Sequence, residues 1–265
     1  MNLLEIRNLG IRAGDTELVS GLSFAIAPGQ RLGLIGESGS GKSLTALAAI
    51  GLLPLGLTAT GSIRLADAEA IGARDGALVP LRGTVTATVF QEPLTALDPL
   101  MRVGRQVAEP LSRRARRDGR SRDVNHEVLA LLEQVALPEP DRIASAYPHE
   151  ISGGQRQRVA IAMALACQPQ LLIADEPTTA LDVTTQAAIL ELLDGLVRER
   201  NMALLFISHD LPVVAGIVDD VLVLQRGRAV EAGPVAKVFA APEAAYTREL
   251  IGAARRFDAE LGSAA

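Results

Sequence analysis

Apolar and polar residues alternate over residues 3–11, which predicts a strand with one buried face. Residues 24–26 form a second short apolar run, and Pro28-Gly29 turns the chain into a third at 31–35. From Lys42 the period becomes helical, with Leu44, Leu47, Ala48 and Leu52 on one stripe, until Pro54 stops it. Residues 84–90 are β-branched and strand-like. Between about 103 and 166 no convincing strand is found. Val124, Val128, Leu131, Leu132 and Val135 recur there at helical spacing, and 151–166 also reads as helix. Strands return at 171–174, 203–207 and 221–224, separated by helical patterns at 184–198 and 210–217.

A strand, a glycine loop and a helix, then strands alternating with helices, is the layout of an α/β fold with a mostly parallel sheet. The strand-free middle predicts a helical subdomain inserted into it. Composition agrees: the 265 residues are 48% hydrophobic and 22% charged, enough to bury a core and unlike a disordered chain. Aromatics are 3% with no Trp, so that core is aliphatic. The net charge of −5 argues against a non-specific nucleic-acid binder. The single Cys167 excludes an intrachain disulfide framework or Cys-ligated cluster and suits a reducing compartment. Charges interrupt the first residues, so no signal peptide is expected. The longest apolar stretch, 44–57, is too short to span a bilayer, so a membrane role would come through a partner.

Gly36-Glu37-Ser38-Gly39-Ser40-Gly41-Lys42-Ser43 is a full match to G-x-x-x-x-G-K-[ST]. It follows a strand and opens a helix, the context that phosphate binding requires and an ordinary glycine turn does not. Glycines let backbone N–H groups converge on phosphates, and the helix N-terminus adds a favourable dipole. Lys42 is placed to reach the β- and γ-phosphates and Ser43 to ligate Mg²⁺.

The apolar strand 171–174 ends in Asp175-Glu176. Sites in α/β sheets lie beyond strand C-termini, so Asp175 is placed to hold Mg²⁺ and Glu176 to polarise an attacking water. Alone, such a pair is usually a solvated turn; beside a phosphate loop the functional reading prevails. Ser152-Gly153-Gly154-Gln155 starts another helix with Ser152 as N-cap. It reads either as a plain capped helix or as a second phosphate-binding helix end, one that could serve another molecule's nucleotide.

Residues 36–43, Gln91, Ser152 to Gln155, Asp175-Glu176, Leu181-Asp182 and His209 resemble, in order, the Walker A, Q-loop, signature, Walker B, D-loop and H-loop of ABC transporter ATPases. The resemblance covers nearly the whole chain. It implies a P-loop NTPase fold with an N-terminal antiparallel β subdomain beside the parallel core. It also implies one ABC ATPase domain over 1–265, with an inserted helical subdomain at 93–166 and a short helical tail at 234–265. It further implies a head-to-tail dimer with two ATP molecules between one subunit's Walker A and the other's signature. In that arrangement Glu176 is the general base, His209 contacts the γ-phosphate, and Gln91 senses Mg²⁺ and water and reports to the membrane partner. Asp182 acts across the dimer interface, and Mg²⁺ is held by Ser43, Gln91 and Asp175.

Three longer strings, 90–99, 147–155 and 175–183, with Gly51-Leu52-Leu53-Pro54, are similar to the oligopeptide/dipeptide/nickel importer ATPases. The expected activity is therefore ATP hydrolysis that drives import of peptides or nickel through a separate permease. The expected partners are a second ATPase subunit, a non-identical one ahead of an identical copy, two transmembrane permease subunits and an extracytoplasmic binding protein that helps choose cargo. The chain would then be cytoplasmic and peripheral on the inner membrane face. A soluble ABC ATPase of DNA repair or translation is the alternative, but those usually carry a coiled-coil insertion or two cassettes. A regulatory subunit with a dead site is opposed by the intact Lys42, Asp175, Glu176 and His209.

Two departures stand out. The aromatic that stacks on adenine in the family falls near position 13, where this chain has Arg12-Ala13-Gly14; the Arg12 guanidinium can stack on a π-face instead. The family's His-Pro-Tyr-Thr-like string near the C-terminus is Ala244-Ala245-Tyr246-Thr247. Tyr246, Phe239 and Phe257 are expected to pack a C-terminal helix rather than touch nucleotide. Arg113, Arg114, Arg116, Arg117, Arg120 and Arg122 face one acid, Asp118, and read as a solvated loop before the Val124 helix. The alternative for that stretch is contact with anionic lipid or a permease. His126 reads as solvated, His149 as structural, and the three histidines with Cys167 show no metal-ligand spacing.

Overall fold

A computed structural model describes residues 1–92, 96–119, 123–179 and 181–262, with side chains through residue 256. Pro93, Leu94 and Thr95 of the importer-like string, Arg120, Arg122, Ala180 and the Phe257 side chain lie outside the described residues. The strands are β1 (Leu4–Ala13), β2 (Thr16–Ile26), β3 (Arg31–Ile35), β4 (Leu57–Leu65), β5 (Ala68–Glu69), β6 (Thr86–Val89), β7 (Leu171–Asp175), β8 (Ala203–Ile207), β9 (Asp220–Gln225) and β10 (Arg228–Pro234). The helices are α1 (Lys42–Ala49), α2 (Asp75–Leu78), α3 (Val103–Asp118), α4 (Val124–Gln134), α5 (Pro140–Ser145), α6 (Gly153–Leu165), α7 (Val183–Glu199), α8 (Leu211–Ile217), α9 (Val235–Ala240) and α10 (Ala245–Gly262). They form two units, Met1–Val79 with Ala203–Ala265, and Pro80–Met202.

The first unit holds two sets of strands. The antiparallel set runs β2-β1-β4-β5, and β1 alternates buried and exposed positions as a sheet with one covered face requires. The other runs β10-β9-β3-β8, with β3 parallel to both β8 and β9 and β10 antiparallel to β9. Almost every residue of β3 and β8 is buried, which is why β8, and β3 after Arg31, read as apolar runs. Their bounds match the expected 31–35 and 203–207.

β2 extends well beyond the expected 24–26, because pairing with β1 carries it back to Thr16. β4 adds a strand that the sequence pattern does not announce, although Leu57, Ala59, Ile63 and Leu65 alternate with Thr58, Thr60, Ser62 and Arg64. Gly61 hides the pattern. It sits at φ 95°, and a Cβ there would overlap the carbonyls of Arg7 and Asn8, where the β1–β4 register breaks.

In the second unit β6 and β7 pair in parallel, Thr86 opposite Leu171 and Val89 opposite Ala174, and α6 packs on β6. No strand is assigned among the described residues of 103–166. The arginine-rich stretch corrects an expectation: Arg113 to Arg117 lie on α3, not in a loop. Val103, Val107 and Leu111 form its buried stripe, and Arg114 continues it. The Arg114 side chain is only 8% exposed, pairing with Glu127 at 2.6 Å and donating to the Ala166 carbonyl at 2.6 Å. A second cation, Arg200, donates to the Leu165 carbonyl, so both arginines meet the C-terminal end of α6, where the helix dipole favours positive charge. His126 is exposed on α4, and His149 stacks on Tyr147.

Candidate nucleotide-binding site

Residues 36–43 leave the buried end of β3 and open α1, whose N-cap is Gly41 in the left-handed region. Gly36, at φ 147°, has no room for a side chain, because a Cβ would overlap the Leu224 carbonyl. Glu37, Ser38, Gly39 and Ser43 are exposed, whereas Ser40 and Lys42 are 3% and 5% exposed. The Lys42 ammonium folds back into its own loop, donating to the carbonyls of Gly36 at 2.7 Å and Glu37 at 2.8 Å and to Ser40 Oγ at 3.4 Å. The ammonium is thus centred in the concave side of the loop, where it can exchange carbonyl partners for phosphate oxygens. The loop is braced from outside: Gly227 N donates to the Ser40 carbonyl at 3.1 Å, and Thr45 Oγ1 holds the Gly41 carbonyl at 2.8 Å. Because β3 and β8 are parallel neighbours, the 36–43 loop and His209 follow the same ends of adjacent strands. His209 is exposed, and Asp210 beside it caps α8 through Val213 N at 3.3 Å.

The second unit repeats this logic with its own pair of strands. Gln91 follows β6 and Asp175-Glu176 ends β7, at the same edge. Asp175 is buried at 8% exposure, while Glu176 is half-buried and turns left-handed at φ 47°. That turn aims its carboxylate out of the strand. Glu176 Oε2 accepts from Gln91 Nε2 at 3.1 Å and from Thr179 Oγ1 at 2.9 Å. Within this unit Gln91 and Asp175 carry oxygen atoms of the kind hard cations such as Mg²⁺ take, as Ser43 does in the first unit.

At the start of α6, Ser152 and Gln155 cap each other. Ser152 Oγ accepts from Gln155 N at 3.3 Å, and Gln155 Oε1 accepts from Ser152 N at 2.9 Å. Gly153 and Gly154 fill the first turn with no side chain over their amides, where helical N–H groups have no intrahelical acceptor. The approach to this turn is fixed by Arg102, which lies 5.2 Å from the Tyr147 ring centroid and donates to the Ser145 carbonyl at 2.6 Å. Arg156 Nε holds the Pro148 carbonyl at 2.6 Å. Asp182, fully exposed, caps α7 by accepting Thr185 N at 3.0 Å. Hydrogen bonds led by that N–H hold its carboxyl below the usual range.

Arg12, the last but one residue of β1, is exposed and donates to the Asp15 carbonyl at 2.7 Å, closing the turn that follows. Tyr246 packs, as its aromatic character predicts. It is 7% exposed, but its hydroxyl also accepts the backbone N–H of Glu37 inside the phosphate loop, at 3.0 Å.

A family profile described as ABC transporter matches residues 19–179. The chain is 45% identical over 262 residues to the oligopeptide transport ATP-binding protein OppD of Escherichia coli, covering 97% of this chain and 77% of that protein. It is also 45% identical over 262 residues to the glutathione import ATP-binding protein GsiA of Pectobacterium atrosepticum, covering 95% of this chain. The chain spans 42% of the length of that GsiA. Among solved structures it is similar to the ATP-binding cassette MJ0796 bound to ADP and Pi, with TM-score 0.76 and 28% identity over 88% of this chain and 98% of that one. It is also similar to CbiO1 of Clostridium perfringens, part of the ABC transporter complex cbiONQ. There the TM-score is 0.74 and the identity 26%, over 91% of this chain and 92% of that one. The profile match over more than half of the chain and the identity to OppD along nearly all of it place the chain in the ABC transporter family, among its ATP-binding proteins.

Proposed function

We propose that the chain binds and hydrolyses MgATP and that this powers import of peptides through a separate membrane permease. The observation that carries the nucleotide reading is Lys42, buried in the concave side of its glycine loop with its ammonium on main-chain carbonyls. In the proposed reaction Lys42 neutralises the β- and γ-phosphates, and the loop N–H groups cradle them. Mg²⁺, with Ser43, Gln91 and Asp175 as its oxygen donors, would supply further charge neutralisation. Glu176 takes the proton of the attacking water, its carboxylate oriented by Gln91 and Thr179. His209 is a donor to the γ-phosphate. The helix end at Ser152 to Gln155 and Asp182 act on the nucleotide of a second ATPase subunit, identical or not.

Peptide cargo is supported by the relatives, named for oligopeptide transport and glutathione import; nickel is the second cargo class. Among the described residues no helix is long and apolar enough to cross a membrane. A peripheral place on the cytoplasmic face, held by two permease subunits and supplied by an extracytoplasmic binding protein, follows from this proposal. The test is MgATP turnover by the chain, with Glu176→Gln as the comparison. Retained nucleotide binding with turnover lost by a hundredfold or more supports Glu176 as the base, in the range general-base catalysis contributes. Normal turnover in that variant removes it from the mechanism.

A further inference from the structure

The phosphate loop and the C-terminal helix, 209 residues apart in sequence, meet at one hydrogen bond, Glu37 N to Tyr246 Oη at 3.0 Å. The peptide unit involved is shared: the N–H of Glu37 and the C=O of Gly36 belong to the same plane. In a trans peptide these two groups point to opposite sides. Tyr246 takes the N–H on one side, and Lys42 Nζ takes the C=O on the other at 2.7 Å. The peptide is clamped on both faces. Gly36 makes such a clamp necessary, since a residue without Cβ offers its following peptide little resistance to rotation.

We infer that Tyr246 is a positioning residue of the phosphate loop, holding the 36–37 peptide in the orientation that keeps the concave side of the loop set for nucleotide phosphates. This rests on reading residues 36–43 as the phosphate site. When phosphates draw the Lys42 ammonium away from the Gly36 carbonyl, the Tyr246 bond is unaffected and the plane of the peptide is kept. The loop is therefore organised before the nucleotide arrives, and the cost of ordering it is not charged against binding.

The tyrosine is itself held in place. Glu231, on β10, accepts the N–H groups of Glu243 at 2.9 Å and Ala244 at 3.0 Å, just ahead of α10. That contact fixes where α10 begins and so where Tyr246, in its first turn, points. The ring is buried, so the hydroxyl is delivered by a side chain with little freedom to move.

The test compares the full chain with Tyr246→Phe, which keeps the ring and removes the hydroxyl, and with Tyr246→Leu, which removes both. The readouts are residue-resolved amide exchange at Glu37 without nucleotide, the Kd for MgADP and MgATP, kcat and KM for ATP, and the melting temperature. Positioning predicts that Tyr246→Phe exchanges the Glu37 amide several-fold faster and weakens nucleotide binding by about fivefold, the worth of one net hydrogen bond. KM rises by the same factor, kcat stays within twofold and the melting temperature is kept. Tyr246→Leu shares the affinity loss and alone loses melting temperature. If Tyr246→Phe matches the wild type in exchange and affinity, the inference is overturned and Tyr246 only packs. A wild-type chain that binds neither nucleotide overturns the phosphate-site reading. The exchange result, which needs no nucleotide, tells that failure apart from a failure of the clamp.

Discussion

The amide of Gln91 donates to the carboxylate of Glu176 at 3.1 Å, joining the end of β6 to the end of β7. In the proposed reaction Glu176 activates the water, and Gln91 is a hydrogen-bond donor to its carboxylate. Glu176 sits in the left-handed region, so its side chain is held clear of the strand and its orientation depends on such partners.

Replacing Gln91 by Ala removes that partner while leaving the carboxylate in place. The expected outcome is a fall in kcat of about tenfold, with the nucleotide Kd measured without Mg²⁺ within twofold of wild type. Steady-state hydrolysis and equilibrium nucleotide binding, measured side by side, check it. An unchanged kcat would show that Glu176 is oriented without Gln91.

Lys42→Ala takes the ammonium out of the phosphate loop. Charge-assisted hydrogen bonds contribute about 1.5–3 kcal/mol each, so nucleotide affinity is expected to fall at least tenfold. Calorimetric titration with MgATP reads this directly. Affinity within twofold of wild type would mean that the phosphates bind elsewhere.

In the second unit the vulnerable point is the Arg114–Glu127 pair, with the arginine side chain 8% and the glutamate 24% exposed. Arg114→Ala takes the guanidinium away from Glu127 and from the Ala166 carbonyl. Removing one member of a buried pair costs about 3 kcal/mol. Urea unfolding should show that loss; a change below about 0.5 kcal/mol, the scale of an ordinary surface substitution, would show that the pair is solvated in solution.

Glu231 carries a pH signature. Burial opposes its ionisation, but hydrogen bonds from Glu243 N, Ala244 N and neighbouring groups outweigh it, and its carboxyl sits below the ordinary 4.5. A carboxyl depressed on folding stabilises the folded state above its unfolded pKa, and that contribution is lost as pH falls through the folded pKa. Wild type should therefore melt above Glu231→Gln by a constant margin at neutral pH. The margin should shrink below about pH 4.5 as the carboxyl protonates. Thermal melts of both proteins across pH 3 to 7 measure it, and a margin independent of pH would contradict the assignment.

Much of this was legible in sequence where burial is total. β8 is apolar from end to end and β3 is apolar after Arg31, and the motif at 36–43 announces both the turn and the helix. α3 was not, because its arginines mask the stripe of Val103, Val107 and Leu111. Spacing alone would have shown that Arg114 extends that stripe, but a charged residue enters a core only with partners such as Glu127 and the Ala166 carbonyl, which lie on other elements. The same holds for Tyr246. Its aromatic character announced packing, but the direction of its hydroxyl depends on where β10 and Glu231 set the start of α10.

The central claim, a transport ATPase driven by MgATP, is tested most directly by hydrolysis in the complex co-purified with its permease and supplied with the extracytoplasmic binding protein. A peptide pool and Ni²⁺ are added separately. The account predicts that hydrolysis depends on Glu176 and is stimulated by the peptide pool. A chain that co-purifies with no membrane protein and hydrolyses ATP at the same rate with or without cargo would contradict it.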